Sequence, residues 1–450
     1  MRSIYKAYDI RGRVPEELDP AKAVRIAASF ASFLKVRTVV LGRDVRVSSE
    51  ALAASAREGL TRMGCEVIDI GLSTTPMLYF ATASLRADAG LMVTASHNPP
   101  HDNGFKMCRA QAAPVSYDDG IRPISEMAEA GGPSAAAAAG KVRTVDIQEA
   151  YRVHVRSFAG ALLGHARAPM RVVLDGGNGM AGAAIPTALR DLPIEIIPLY
   201  LEPDGRFPNH PPNPLVEANL RDLRDTVVRE GALVGIAYDG DADRCVFIDE
   251  QGGVLGSDLA TALLARAFLA SAPGGTVVYD LRSSRVVAEE IQKAGGIPVR
   301  ERVGHSFIKA TMRRLNAVFA GELSGHFYFR DNFFCDSALV ATVSFLGLLA
   351  RSGEPLSRLA GPLRRTFQTG EVNFRVADPD ATLRRAAERF ADGKADWLDG
   401  LTVAYGRWWF NLRKSNTEPL VRLNLEADDR PTLDASRARL GEMLGTPIAG

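Results

Sequence analysis

Three segments of the chain open alike: VVLGRD at Val39–Asp44, VVLDGG at Val172–Gly177 and VVYDLR at Val277–Arg282. Each is a β-branched apolar run that ends in a polar turn, the pattern of a buried strand feeding a loop. A helical stretch and a second strand-like run follow each one: CEVIDIGL from Cys65, IEIIPLYL from Ile194 and IPVRERVG from Ile297. A third run closes each unit: GLMVTASHNPP from Gly90, LVGIAYDGDADR from Leu233 and AVFAGELSGH from Ala317. Alternating strands and helices with near-continuous apolar strands predict parallel sheets covered on both faces. Three such units predict three related doubly wound α/β domains with mixed or parallel sheets. In open α/β sheets ligands sit beyond the carboxyl ends of the strands. The three chemically unusual segments all lie at that end of their third run.

The tail breaks the pattern. EVNFRV, a predicted helix over Asp380–Phe390, then LTVAYG, RWWFNL and LVRLNLEAD read as a helix with antiparallel strands, and a final helix follows Pro431. This is a small α+β domain. The low-complexity stretch Gly131–Gly140, GGPSAAAAAG, predicts an exposed connection near the first domain boundary. The expected domains are 1–148, 149–251, 252–366 and 367–450, arranged around a central cleft. At ~150 residues per domain, the length of 450 fits three or four.

Composition narrows the function classes. The chain is 46% hydrophobic and 24% charged, ordinary for a soluble globular protein. Lys+Arg 54 against Asp+Glu 53 leaves a net charge of +1, so bulk electrostatics argue against nucleic acid or an anionic membrane as partner. Cys65, Cys108, Cys245 and Cys335 form no CxxC pair, which disfavours a zinc site or redox dithiol and fits free thiols in a reducing compartment. The first residues lack a secretory apolar core, and the longest apolar stretch, Ala338–Ala350, is shorter than the ~20 residues needed to span a bilayer. A cytoplasmic location is expected, with a monomer or weak homodimer.

Four polar segments carry candidate chemistry. In DGDADR, Asp239, Asp241 and Asp243 alternate directly after an apolar strand, so an extended segment would put three carboxylates on one side. Three like charges that close repel unless they share a cation, and oxygen-only ligands favour magnesium, calcium or manganese. An EF-hand is disfavoured: Glu250 stands at the twelfth position, but the sixth is Arg244 where the loop needs Gly, and both flanks read as strands. Arg244 beside the triad suits a phosphate or leaving oxygen.

In TASHNPPHDNGFKM, Ser96 sits on a rigid turn with His97 and Lys106 as candidate activating neighbours, Asn103-Gly104 allowing a turn that returns Lys106 towards it. The alternative is an ordinary loop with a helix-capping serine. No GxSxG elbow surrounds it, against a Ser-His-Asp hydrolase. GELSGH offers Glu322, Ser324, Gly325 and His326, an inventory suited to sugar hydroxyls, and VGHSFIK upstream adds His305. RKSNTEPLVR places Arg413, Ser415, Asn416 and Thr417 in a tail-domain loop, where cations, hydroxyls and free N–H groups make a phosphate cradle. YDIRG near the start adds Tyr8 and Arg11. No P-loop occurs, and GGNG at Gly176–Gly179 reads as a tight strand-to-helix turn. A serine, a hard-metal site and anion-binding features together point to phosphoryl transfer, where the protein supplies position and charge neutralisation.

TASHNPP, DGDADR, GELSGH and RKSNTEP, in that order behind YDIRG, resemble the signatures of the α-D-phosphohexomutase family, particularly its bacterial phosphomannomutase/phosphoglucomutase group. The resemblance covers the whole chain. It implies that Ser96 is a phosphoserine and that Asp239, Asp241 and Asp243, with a phosphoserine oxygen, hold magnesium. It implies that Glu322 and Ser324 grip sugar hydroxyls, and that Arg413, Ser415, Asn416 and Thr417 hold the phosphate that is not reacting. Tyr8, Arg11, His97, Lys106, Arg244, Arg282, His305, Gly325 and His326 fall at other active-site positions. The implied reaction interconverts hexose 1-phosphate and hexose 6-phosphate of mannose or glucose. It runs through a hexose 1,6-bisphosphate that turns around inside the site. Phosphoglucosamine mutase, a non-catalytic sugar-phosphate sensor and a sugar phosphatase are the rivals.

Three departures stand out. Ala242 replaces a usual Gly, tolerable if φ is negative there. Arg282 replaces a substrate-binding lysine, and Leu323 a methionine. The general base stays open among His97, Lys106 and His305.

Overall fold

The computed structural model describes residues 4–415 and 420–448. Three mixed sheets and one antiparallel sheet follow one another along the chain. In the first, strand Thr38–Arg43 runs parallel to Glu66–Leu72 on one side and Ala89–Val93 on the other. Strand Asp102–Arg109 then returns antiparallel to Ala89–Val93. The second sheet repeats this with Met170–Asp175, Ile194–Leu199, Val234–Tyr238 and the return strand Cys245–Asp249. The third repeats it with Thr276–Asp280, Ile297–Glu301, Phe319–Gly321 and Phe327–Phe329.

The antiparallel return is what makes each of these sheets mixed, as expected. Each third run is followed by a short loop rather than a helical crossover. Ser96, Asp239–Asp243 and Glu322–His326 therefore occupy one topological position in three sheets: the turn between the third strand and its return. Asn103 and Gly104 likewise lie within a strand and not in a turn. Gly104 pairs with Arg11, and a Cβ there would fall 1.8 Å from the Ile10 carbonyl oxygen. Antiparallel pairing, not a turn at Gly104, carries Lys106 back towards the serine.

One core unites the first three units. The apolar stretch from Ala338 forms a helix, Ala338–Ser352, capped by the Ser337 side chain and ended by Gly353 at φ 67°. Apolar on nearly every side, it is buried as such helices are. Phe345 stacks on Phe247 of the second sheet at 3.9 Å, and Thr342 meets the Tyr238 hydroxyl at 2.7 Å. The tail has its own core, with Phe374, Leu412, Leu423 and Leu433 among its members. Its strands are all antiparallel, flanked by helices Pro379–Arg389 and Arg430–Leu444, as an α+β unit requires. No helix among the described residues is long and apolar enough to cross a membrane.

Candidate active site

Ser96 is buried with φ 52°, a left-handed conformation that an L-residue holds only when its surroundings enforce it. No helix follows it, so it is not a cap. Its Oγ donates to Asp239 Oδ2 at 2.8 Å, accepts from Arg244 Nη2 at 3.3 Å and lies 3.3 Å from His97 Nδ1. Arg11 closes over the same loop, bonding Asn98 Oδ1 at 2.8 Å and Asp9 at 2.7 Å.

The aspartate turn packs directly on the serine loop: a Cβ on Gly240 would fall 2.3 Å from the Ser96 carbonyl oxygen. Asp239, Asp241 and Asp243 are buried, with ligand oxygens within 4.8 Å of one another. Asp239 Oδ1 accepts the backbone N–H groups of Asp243 and Arg244, both at 3.1 Å. Lys106 Nζ bonds Asp241 at 2.6 Å and also pairs with Asp243. Ala242 sits at φ 59°. The negative φ under which an alanine would be tolerated is thus absent, and Ala242 holds a left-handed conformation that costs an L-residue about 1–2 kcal/mol.

Three buried carboxylates crowd this turn, against Lys106, Arg244 and, 3.5 Å from Asp243, the His326 imidazole. Burial, followed by the charge of Asp243, pushes Asp239 up to about 7 despite Arg244. Burial also works against the Asp243 carboxylate, yet Lys106 and His326 hold it well below the usual range. Asp241 Oδ1 and Asp243 Oδ1 are buried without a hydrogen-bond partner. Hard oxygen donors within 4.8 Å of one another, two of them unpartnered, fit a divalent cation. The acidic cluster could therefore bind a metal.

The Glu322–His326 turn is strapped to the aspartate turn by backbone. Cys245 N donates to the Gly325 carbonyl at 3.1 Å, and Gly325 adopts φ 86° where a Cβ would approach the Cys245 carbonyl oxygen to 2.9 Å. His326 Nδ1 meets Ser324 Oγ at 2.8 Å, and its Nε2 lies 3.5 Å from Asp243. Glu322 is buried against the Tyr328 hydroxyl, and burial raises its carboxyl. His305 begins helix His305–Leu315 and packs on Tyr8, whose hydroxyl bonds the Val303 carbonyl at 2.8 Å.

Arg282 joins this turn through Asp280, which accepts Arg282 Nη2 and Leu323 N, both at 2.8 Å. It reaches the tail through Glu371, 3.8 Å away, and Glu371 bonds Arg413 at 2.8 Å. Ser415 N donates to the Leu420 carbonyl at 2.9 Å. Asn416 and Thr417 lie outside the described residues. The three turns of the first three units thus touch one another, and Arg282 reaches Arg413 of the tail through Glu371.

Sequence reading missed a second layer, although its signal stood in the opening segments. The first strand of each unit ends in a buried aspartate, Asp44, Asp175 or Asp280. Each accepts the backbone N–H two residues on: Arg46 at 3.0 Å, Gly177 at 2.9 Å and Arg282 at 2.7 Å. Arg46 is the most consequential. Fully buried, it donates to the carbonyls of Ser96, Asn98, Pro99 and Asp102 at 2.6–2.9 Å while paired with Asp44. It holds the whole serine turn in shape. Thr75, which bonds Asp241, is a further residue that no local motif announced.

A buried serine packed on an acidic turn, with a third polar turn strapped to that one, each from a separate α/β unit, is an arrangement suited to phosphoryl transfer. Comparison with known proteins agrees. The phosphoglucomutase/phosphomannomutase family models match in order: domain I over residues 2–131, domain II over 151–253, domain III over 256–367 and the C-terminal domain over 371–442. The chain belongs to the phosphoglucomutase/phosphomannomutase family and is an enzyme, a hexose-phosphate mutase. It is 41% identical to a phosphomannomutase of Salmonella montevideo, over 98% of this chain and 99% of that one. It is 42% identical to a protein of Xanthomonas campestris named "Phosphohexose mutases", over 98% of both chains. A solved phosphoglucomutase/phosphomannomutase family protein of Burkholderia thailandensis superposes with a TM-score of 0.90 at 33% identity, covering 100% of this chain and 99% of that one.

Proposed function

We propose that the enzyme interconverts the 1- and 6-phosphates of mannose and glucose by way of a phosphorylated Ser96 and a hexose 1,6-bisphosphate. The observation that carries this reading is the position of Ser96 Oγ. It lies 2.8 Å from Asp239 and 3.3 Å from both His97 and Arg244, on a turn held in a left-handed conformation. A phosphoryl group on Oγ carries about −1.5 to −2 charge, and Arg244, Arg11 and Lys106 surround its place with cations.

In the transfer step the Ser96 Oγ–P bond breaks, a sugar hydroxyl forms a new O–P bond, and the hydroxyl proton leaves while Oγ gains one. His97, 3.3 Å away, serves Oγ when the serine is rephosphorylated: burial, then the nearby Arg244 and Arg11, disfavour its protonated form, so the imidazole is free to accept the proton that Oγ then loses. Lys106 drops out as a base, because Asp241 and Asp243 keep its ammonium protonated in spite of burial. His305 packs instead against Tyr8. Magnesium on Asp239, Asp241, Asp243 and a Ser96 oxygen would neutralise charge on the transferring phosphoryl group. Glu322 and Ser324 present acceptors and a hydroxyl for the sugar ring, and Arg413 with the adjoining loop receives the distal phosphate. Burial of Ser96 and of the three aspartates limits access of water to Oγ and favours return of the phosphoryl group over hydrolysis.

The test is a coupled assay with mannose 1-phosphate, glucose 1-phosphate and glucosamine 6-phosphate, with magnesium and trace hexose 1,6-bisphosphate, alongside a free-phosphate readout. Isomerisation of the first two, abolished in Ser96→Ala with the fold intact, supports the reading. Near-normal turnover in Ser96→Ala refutes the phosphoserine. Turnover of glucosamine phosphate alone, or release of free phosphate alone, refutes the substrate or the reaction.

A further inference from the structure

Arg413 and Arg422 stand directly opposite each other on the antiparallel strands Trp408–Lys414 and Leu420–Ala427. Like charges so placed repel. A single carboxylate, Glu371 on the neighbouring strand, resolves this: its Oε2 bonds Arg413 Nη2 at 2.8 Å and its Oε1 bonds Arg422 Nη1 at 3.1 Å. Arg282 of the third unit approaches the same Oε2 to 3.8 Å. Three guanidinium groups from two domains thus converge on one monoanion. Their donors are not exhausted, since Arg413 Nε and Arg422 Nε are buried with no hydrogen-bond partner. Glu371 is placed by a bulge in its strand between Gln368 and Glu371, where Gly370 takes φ 66°. The bulge aims the carboxylate at the arginines rather than along the regular pleat.

We propose that Glu371 is an internal anion that occupies the arginine cluster in the empty enzyme and that the substrate's distal phosphate displaces. This rests on the reading of the Arg413 loop as the distal phosphate site. A phosphate dianion carries more charge and more acceptor oxygens than a carboxylate and can take bidentate contacts from two guanidiniums. It can therefore replace Glu371 where a monoanion cannot, which makes Glu371 a filter for phosphate. It also keeps the hold on phosphate moderate. That matters for this reaction, because an intermediate that turns around must let go of the cluster with one phosphate and return with the other. Because Glu371 also faces Arg282, displacing it alters a contact between the third unit and the tail, so phosphate binding and tail position are linked.

The experiment uses the full chain and inorganic phosphate as probe, by isothermal titration, with steady-state kinetics on glucose 1-phosphate. In Glu371→Gln, isosteric but uncharged, phosphate affinity is expected to rise about tenfold, the scale of one charge-assisted hydrogen bond. The KM for glucose 1-phosphate falls, and kcat falls with it because release becomes slow. The gain in melting temperature on adding phosphate exceeds that of the unaltered enzyme, a readout that damage to packing would not produce. Glu371→Asp, with the charge kept on a shorter arm, should lie between the two, and it carries the test if the Gln variant does not fold. Unchanged or weaker phosphate binding in these variants overturns the proposal. Arg413→Ala separates the two levels. If it weakens phosphate binding while Glu371→Gln changes nothing, the cluster binds phosphate but Glu371 is no competitor. If Arg413→Ala leaves phosphate binding intact, the distal-site reading fails, and the proposal with it.

Discussion

Replacing Lys106 with methionine removes a cation while keeping most of the buried stem. In the structure its ammonium pairs with Asp241 at 2.6 Å and with Asp243, all three side chains nearly inaccessible. Removing one partner of a buried ion pair costs about 3–5 kcal/mol, because the remaining charge stays buried and uncompensated. At roughly 2–4 °C per kcal/mol for a domain of this size, the melting transition in EDTA should fall by ~6–20 °C. The same vacancy of charge favours an added cation, since Lys106 and a divalent ion would neutralise the same carboxylates. Magnesium should therefore stabilise Lys106→Met by several degrees more than it stabilises the unaltered enzyme, closing most of the gap. Calorimetry across a magnesium titration, in both proteins, measures this. A deficit that persists unchanged in saturating magnesium would show that these aspartates are not the ion's ligands. No deficit in EDTA would show that the ion pair is not what neutralises the turn.

Arg46→Lys should cost about 3 kcal/mol or more in a urea melt and lower kcat more than it raises KM. A hydrogen bond to a charged group is worth about 1.5–3 kcal/mol, and an ammonium cannot reach all four carbonyls that Arg46 holds. Equal stability would refute its bracing role. Ala242→Gly should stabilise by no more than about 1 kcal/mol, the relief of left-handed strain less glycine's larger loss of entropy, and a lowered melting temperature would refute the strain. His210 reports on pH. Burial alone would depress it, but its hydrogen bond to Asp175 and that residue's charge outweigh burial and raise it. Its contribution is full below the unfolded value of about 6.5 and is lost as pH rises through the raised folded value. His210→Gln should therefore lower the melting temperature at mildly acidic pH and matter little above neutrality, and a deficit that grows with pH would reverse the sign of the argument.

Fold class and the polar turns were legible without coordinates, because hydrophobic period and turn chemistry are properties of a few consecutive residues. The runs at Val39, Val172 and Val277 announced three repeated units, and Ser96, Asp239 and Glu322 stood at the ends of strands whatever their partners. The tail helix expected over Asp380–Phe390 is found at Pro379–Arg389, and the last one, expected after Pro431, begins at Arg430. What only the tertiary structure decided was pairing over long separations. Arg46 reaches across about fifty residues to the serine turn, Thr75 bonds Asp241 in another domain, and Glu371 gathers arginines from two domains. No local pattern encodes which buried charge meets which, since that depends on how sheets stack once their cores are joined. Backbone sign belongs to the same class. Ala242 has the side chain of a helix former, yet close packing of the turn around Asp239 sets its φ at 59°. Local chemistry thus determined which groups each loop carries, and packing determined which loops lie together.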